Sequence, residues 1–105
     1  MKRVFVSHPF RENEEENFKK VSEICLRITE KYKDVVPVSP IHAFGFLDDN
    51  KHREMALRFC RSLMEGCHEV WFFGNWRFSE GCTLELGWSM ELNRPARFYA
   101  SGNDL

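Results

Sequence analysis

Glu85 stands in the run Thr83-Leu84-Glu85-Leu86-Gly87-Trp88-Ser89-Met90, a carboxylate among apolar neighbours. A carboxylate in such company is unusual unless it is paired or does chemistry; the plain alternative is a solvated glutamate on the outer face of an amphipathic helix. Just upstream, Ser79-Glu80-Gly81 has the makings of a helix start. Unpaired N–H groups and the helix dipole there favour an anion, and Gly81 would let a phosphate or carboxylate approach the backbone. Ser79 serves equally well as an ordinary N-cap, with Gly81 easing packing. Gly87, inside the same helix, costs about 1 kcal/mol relative to alanine and marks close packing or access.

Two further segments carry polar chemistry. Ser7-His8-Pro9-Phe10-Arg11 follows the apolar Val4-Phe5-Val6, and Gly74-Asn75-Trp76-Arg77-Phe78 follows Val70-Trp71-Phe72-Phe73. Both combine polar groups, an arginine and aromatics. Phe10, Trp76 and Phe78 are able to stack on a base, worth roughly 1–3 kcal/mol each, or to serve as core. Arg11 and Arg77 are able to clasp a phosphate, or simply face solvent.

The elements that must position these residues follow from periodicity. Val4-Phe5-Val6 reads as a buried parallel strand. After the acidic stretch Glu12 to Glu16, Phe18, Val21, Cys25, Ile28 and Tyr32 recur at helical spacing, predicting a helix to about Lys33. Val35-Val36-Pro37-Val38 reads as a strand that its proline confines to a sheet edge. Ser39 to Leu47 reads as a loop, and Asp48, Asp49 or Asn50 as the cap of a helix with the stripe Ala56, Phe59, Cys60, Leu63, Met64 and Cys67. Val70 to Phe73, the most apolar run, is the expected centre of the sheet. Ser79 caps a helix to about Asn93, Arg97 to Ala100 is a last strand, and Ser101 to Leu105 a loose tail.

Strands alternating with helices give a single α/β domain over residues 1–105, with a four-stranded parallel sheet of order 2-1-3-4 and helices on both faces. In such a sheet the ligand crevice lies beyond the carboxyl ends of the strands where the order reverses, here between the first and third. The two polar loops and the start of the last helix meet there.

Composition removes several function classes. The 105 residues carry 15 Lys+Arg and 16 Asp+Glu, a net charge of -1, so the basic excess of a nucleic-acid binder is absent. No apolar run approaches the roughly 20 residues that span a bilayer, and the opening segment does not read as a secretory signal, so a cytoplasmic location is expected. Cys25, Cys60, Cys67 and Cys82 contain no C-x-x-C pair, and the four histidines add no ligand spacing. Core thiols are expected, and neither a metal nor a cofactor. Trp88, Met90 and Leu92 give the last helix more apolar surface than one sheet face requires, which points to a homodimer or larger homo-oligomer.

The combination Trp76-x-x-Ser79-x-Gly81-x-x-x-Glu85-Leu86-Gly87 resembles the signature of the nucleoside 2-deoxyribosyltransferase-like superfamily. Val4-Phe5-Val6-Ser7-His8-Pro9-Phe10, with Asn17-Phe18 beyond, resembles that family's first strand and loop. Phe46-Leu47-Asp48-Asp49-Asn50 and Cys67-His68-Glu69-Val70-Trp71-Phe72-Phe73-Gly74 are most similar to a small branch common in bacteria and phages. The resemblance covers nearly the whole chain. It implies a flavodoxin-like three-layer fold and a pocket for a nucleoside or deoxynucleotide rather than a nucleic-acid polymer. It implies Glu85 as the nucleophile that forms a glycosyl-enzyme, resolved by water or a second base with net retention. Amide dipoles at the helix start are expected to keep that carboxylate ionised. Ser79 and Gly81 match positions near the 5′-phosphate and Ser7 matches the first-loop hydroxyl, and Ser7, His8, Pro9, Phe10, Arg11, Asp48, Asp49, Asn75 and Trp76 are expected around the substrate.

The sequence departs from the family at two usually acidic positions, which read Cys60 and His68, and transferases of free nucleosides tend to be acidic where Ser79 stands. Asp48, Asp49 or His42 are the available substitutes for the missing acid. The alternative is a non-catalytic nucleotide-binding or sensing module of the same fold.

Overall fold

The computed structural model describes residues Met1–Leu105. In chain order its elements are β1 (Lys2–Ser7), α1 (Glu14–Lys31), β2 (Val35–Val38), a short α2 (Pro40–Ala43), α3 (Arg53–Glu65), β3 (Glu69–Phe73), α4 (Glu80–Glu91) and β4 (Ala96–Tyr99). The strands form one parallel sheet of order β2-β1-β3-β4, as expected for a flavodoxin-like fold. The two unbroken apolar runs became the central strands, buried on both faces. Pro37 sits in β2, at the edge, where the missing N–H disrupts least.

Alternation along the strands divides the core. Val4, Val6, Trp71 and Phe73 pack against Val21, Ile24 and Ile28 of α1. Phe5, Val70 and Phe72 pack against Met64, Cys67 and Cys82 on the side of α3 and α4. Ser7 shares parity with Phe5, so its hydroxyl is delivered to the α4 side. The three acidic residues Glu14, Glu15 and Glu16 occupy the first turn of α1, at the positive end of its dipole.

Several local expectations are corrected. Phe18 is not core: it is 43% exposed and stacks on His42 at 4.2 Å, and Ile24 takes its place on the buried stripe. The segment read as a loop contains α2, because Ser39 caps it through the backbone N–H of His42 and Pro40 fits the first helical position. Asp48 does not cap α3. Its Oδ1 accepts from the N–H groups of Asn50 and Lys51 and closes a turn, and α3 starts at Arg53. The carboxyl-terminal residues are not loose. Ser101 and Asp104 form a capping box around a single 3-10 turn, Gly102 lies against Ile24, and Leu105 packs on the α1-side core.

Ser79 caps α4 as predicted, accepting from the Cys82 N–H at 3.2 Å. Gly87, however, does not mark close packing, since a Cβ there would meet nothing within 4 Å. Gly87→Ala should therefore stabilise the domain by about 1 kcal/mol, seen as a higher denaturation midpoint. A destabilised variant would reveal that something covers this face.

Candidate active site

Glu85 owes its position to two local rules. The Ser79 cap sets where α4 begins, and helical spacing then puts Cys82, Glu85 and Ser89 on the buried inner face. Strand parity brings Ser7 to the same place. The Ser7 hydroxyl donates to Glu85 Oε1 at 2.6 Å, joining the end of β1 to α4 beneath the switch point. Glu85 is only 9% exposed.

Burial dominates its electrostatics. The Glu85 carboxyl is pushed up to about 7 by desolvation, which outweighs the opposite pull of the Ser7 hydrogen bond. This corrects the expectation that helix dipoles hold the group firmly ionised: Ser7 is its sole hydrogen-bond donor, and no backbone amide reaches it. The neighbouring groups are thiols. Cys60 on α3 is pushed up to about 12 and Cys82 to about 11, in each case by burial first and the charge of Glu85 second.

A cleft of about 1500 Å³ opens above the carboxyl ends of β1 and β3. Of the residues expected at the site, His8, Pro9, Phe10, Arg11, Asp48, Asp49, Asn75, Ser79, Gly81 and Glu85 line it, and Ser7 lies just beneath. Trp76 does not. The 3-10 turn Trp76–Phe78 swings its ring against Phe72 and Phe98, at 5.8 and 4.9 Å, so the half-buried indole packs on the edge of the core instead of lining the cleft. Phe78 lines the cleft instead, 90% exposed, while Arg77 lies over the Trp76 ring. His42 is also elsewhere, bound to Ser39 and Ser22 at 2.8 and 2.7 Å.

The two departures at acidic positions separate in space. Cys60 lines the cleft beside Glu85. His68 lies at the opposite end of the sheet, where its Nδ1 accepts from the Arg3 N–H at 2.9 Å, and no charge at that position would reach the cleft directly. No three His, Cys, Asp or Glu side chains are grouped to hold a metal ion. No helix is long and apolar enough to cross a membrane.

A family model described as a domain of unknown function (DUF7768) matches residues 2–99. The chain belongs to this family. A comparison with curated proteins finds no match. Among solved structures, this DUF7768 domain is similar to a 2-deoxyribosyltransferase from Bacillus psychrosaccharolyticus, with TM-score 0.72 and 17% identity over 95% of this chain and 74% of that one. It is also similar to the CMP N-glycosidase BcmB of Clostridium botulinum, with TM-score 0.56 and 14% identity over 98% of this chain and 93% of that one. At such identities the likeness is one of fold.

Two features of the DUF7768 site escaped the sequence reading. Arg53 bridges Asp49, at 3.8 Å, and Glu80, at 2.6 Å, while Arg11 holds Asp49 from the other side at 2.8 Å. This alternating row of charges ties the β1 loop, the turn before α3 and the start of α4 together along the cleft. Only the Asp49–Arg53 spacing of four residues was a signal for it. Asn17, buried, donates from Nδ2 to the Phe10 carbonyl at 3.0 Å and fixes the β1 loop.

Proposed function

We propose that this single domain is a cytoplasmic nucleotide-processing enzyme of the deoxyribosyltransferase-like kind, in the branch found in bacteria and phages. It binds a nucleoside or deoxynucleoside 5′-monophosphate in the cleft and cleaves or exchanges the N-glycosidic bond through Glu85. One observation carries this reading: a buried carboxylate at the floor of the cleft, held through one oxygen by Ser7. Its other oxygen has no partner within the chain. That oxygen attacks the anomeric carbon from the face opposite the base. The C–N bond breaks, its electron pair leaves with the base, which takes up a proton, and a glycosyl ester forms on Glu85. Water, or a second base, then displaces Glu85 with net retention.

A carboxyl near 7 suits both halves, since the anion is poorly solvated when it attacks and is a competent leaving group afterwards. The start of α4 supplies an anion seat. Ser79 accepts from the Cys82 N–H, which leaves its own proton for a phosphate oxygen. A Cβ on Gly81 would meet only Ser79 Oγ, at 3.9 Å, so the backbone there is open to an approaching anion. Gly81→Ala is therefore expected to fold normally while losing about tenfold or more in affinity for deoxynucleoside 5′-monophosphates, by calorimetry. Undiminished affinity would remove the phosphate from this seat.

A specific observation favours a second reading, a binding or sensing module. The titratable groups nearest Glu85 are thiols rather than carboxylic acids, so the leaving base lacks an obvious proton source beside the nucleophile. Incubation with deoxynucleosides and their monophosphates separates the two. Free base, lost with Glu85→Ala, supports the enzyme; a rise in denaturation midpoint with no base released supports the module. Either form is proposed to self-associate, because Met90 of α4 and Phe98 of β4 remain 71% and 50% exposed. Sedimentation showing only monomer at high concentration would reject that.

A further inference from the structure

His8 stands where the two central strands end side by side, and it lines the cleft. Its Nδ1 is 2.6 Å from the carbonyl oxygen of Pro9. A carbonyl only accepts, so Nδ1 carries the hydrogen. A neutral imidazole has a single N–H, which leaves Nε2 as a bare acceptor. No group of the chain donates to Nε2. The ring lies beside the turn after β3. Gly74 adopts φ +74°, a conformation that suits glycine, and a Cβ there would lie 3.6 Å from Nε2 and 3.7 Å from Pro9. Burial, reinforced by the Lys20 ammonium on α1, lowers the proton affinity of the ring below that of an ordinary histidine despite the opposing pull of the Pro9 carbonyl.

The geometry points to His8 Nε2 as a specificity-determining acceptor that reads an N–H or O–H donor on the bound nucleotide. The inference rests on the nucleotide reading of the cleft. Its chemistry is separate from the glycosidic step, in which Ser7 and Glu85 act on the α4 side. A nucleotide carries such donors on the exocyclic amines and ring N–H groups of its bases and on the sugar 3′-hydroxyl; the amine of cytosine or adenine and the 3′-hydroxyl are the ones that paired analogues exchange or remove. A ligand offering a carbonyl oxygen at the same place would set two lone pairs against each other and leave the acceptor unpaired.

The test uses the full chain carrying Glu85→Gln, so that ligands stay intact, with 15N-labelled histidine. Calorimetry compares dCMP with dUMP and dAMP with dIMP, which exchange the amine for a carbonyl. The 2′,3′-dideoxy forms of dCMP and dAMP remove the hydroxyl. The expected result is a loss of about tenfold or more in one arm. The Nε2 resonance should shift toward the hydrogen-bonded type as dCMP or dAMP is added. His8→Phe, which removes the acceptor, should abolish the discrimination. Equal binding of all analogues with Nε2 unmoved overturns the inference while leaving the nucleotide reading intact. An Nε2–H tautomer in the free protein overturns it alone as well. Failure of every nucleotide to bind overturns the nucleotide reading and this inference together.

Discussion

Glu85→Gln is expected to end the release of free base from deoxynucleoside 5′-monophosphates, lowering kcat by about a thousandfold or more. The amide keeps an oxygen to accept from Ser7, so the floor of the cleft retains its shape. It has no anionic oxygen to attack the anomeric carbon, so the two-step path is closed. Substrate affinity should change little, because the start of α4 at Ser79 and Gly81, proposed above to receive the phosphate, and the loop around His8 are untouched. Chromatography of released base, with calorimetry on the same samples, distinguishes loss of chemistry from loss of binding. Base release at the wild-type rate would remove Glu85 from the reaction.

The same substitution should also make the domain more stable, and increasingly so with rising pH. The carboxyl is pushed up to about 7 in the folded protein from an ordinary value of 4.5, chiefly by burial. Below both values the carboxyl is protonated in either state and carries no penalty. Between them the folded protein holds a proton that the unfolded chain releases, so stability falls as pH rises. Above pH 7 the loss is complete, at about 3 kcal/mol. Glu85→Gln carries no such charge. Its midpoint should match the wild type near pH 4.5 and exceed it at pH 8 by roughly 10–20 °C for a domain of this size. The comparison cancels the histidines and surface carboxylates common to both proteins. Cys60 and Cys82, pushed up to about 12 and 11, stay neutral throughout this window. Parallel curves for the two proteins would mean that Glu85 is hydrated in solution.

The architecture was legible in the sequence because it depends on local signals. Val4-Phe5-Val6 and Val70-Trp71-Phe72-Phe73 admit only buried central strands, Pro37 admits only an edge, and Ser79 starts α4 where it was predicted. Strand order alone then gathered His8 to Arg11, Asn75, Ser79 to Cys82 and Glu85 around one crevice. What remained hidden depends on contacts between distant segments. Whether Trp76 faces ligand or core is decided by Phe72 and Phe98, which the 3-10 turn brings within reach. The docking of the last residues depends on Ile24 accepting Gly102. The Arg53 bridge depends on α3 and α4 lying side by side. Cys60 and His68 looked equivalent as departures at acidic positions, yet one faces Glu85 and the other the far end of the sheet. Residue type carried no trace of that difference, and only the topology supplies it.

Glu85 as the nucleophile is tested most directly by intact-mass and peptide mass spectrometry of the protein quenched in acid during turnover of a deoxynucleoside 5′-monophosphate. A deoxyribosyl phosphate adduct is expected on the peptide containing Glu85, absent from Glu85→Gln. Base released with the adduct on another residue, or with equal yield from the Glu85→Gln protein, would contradict it.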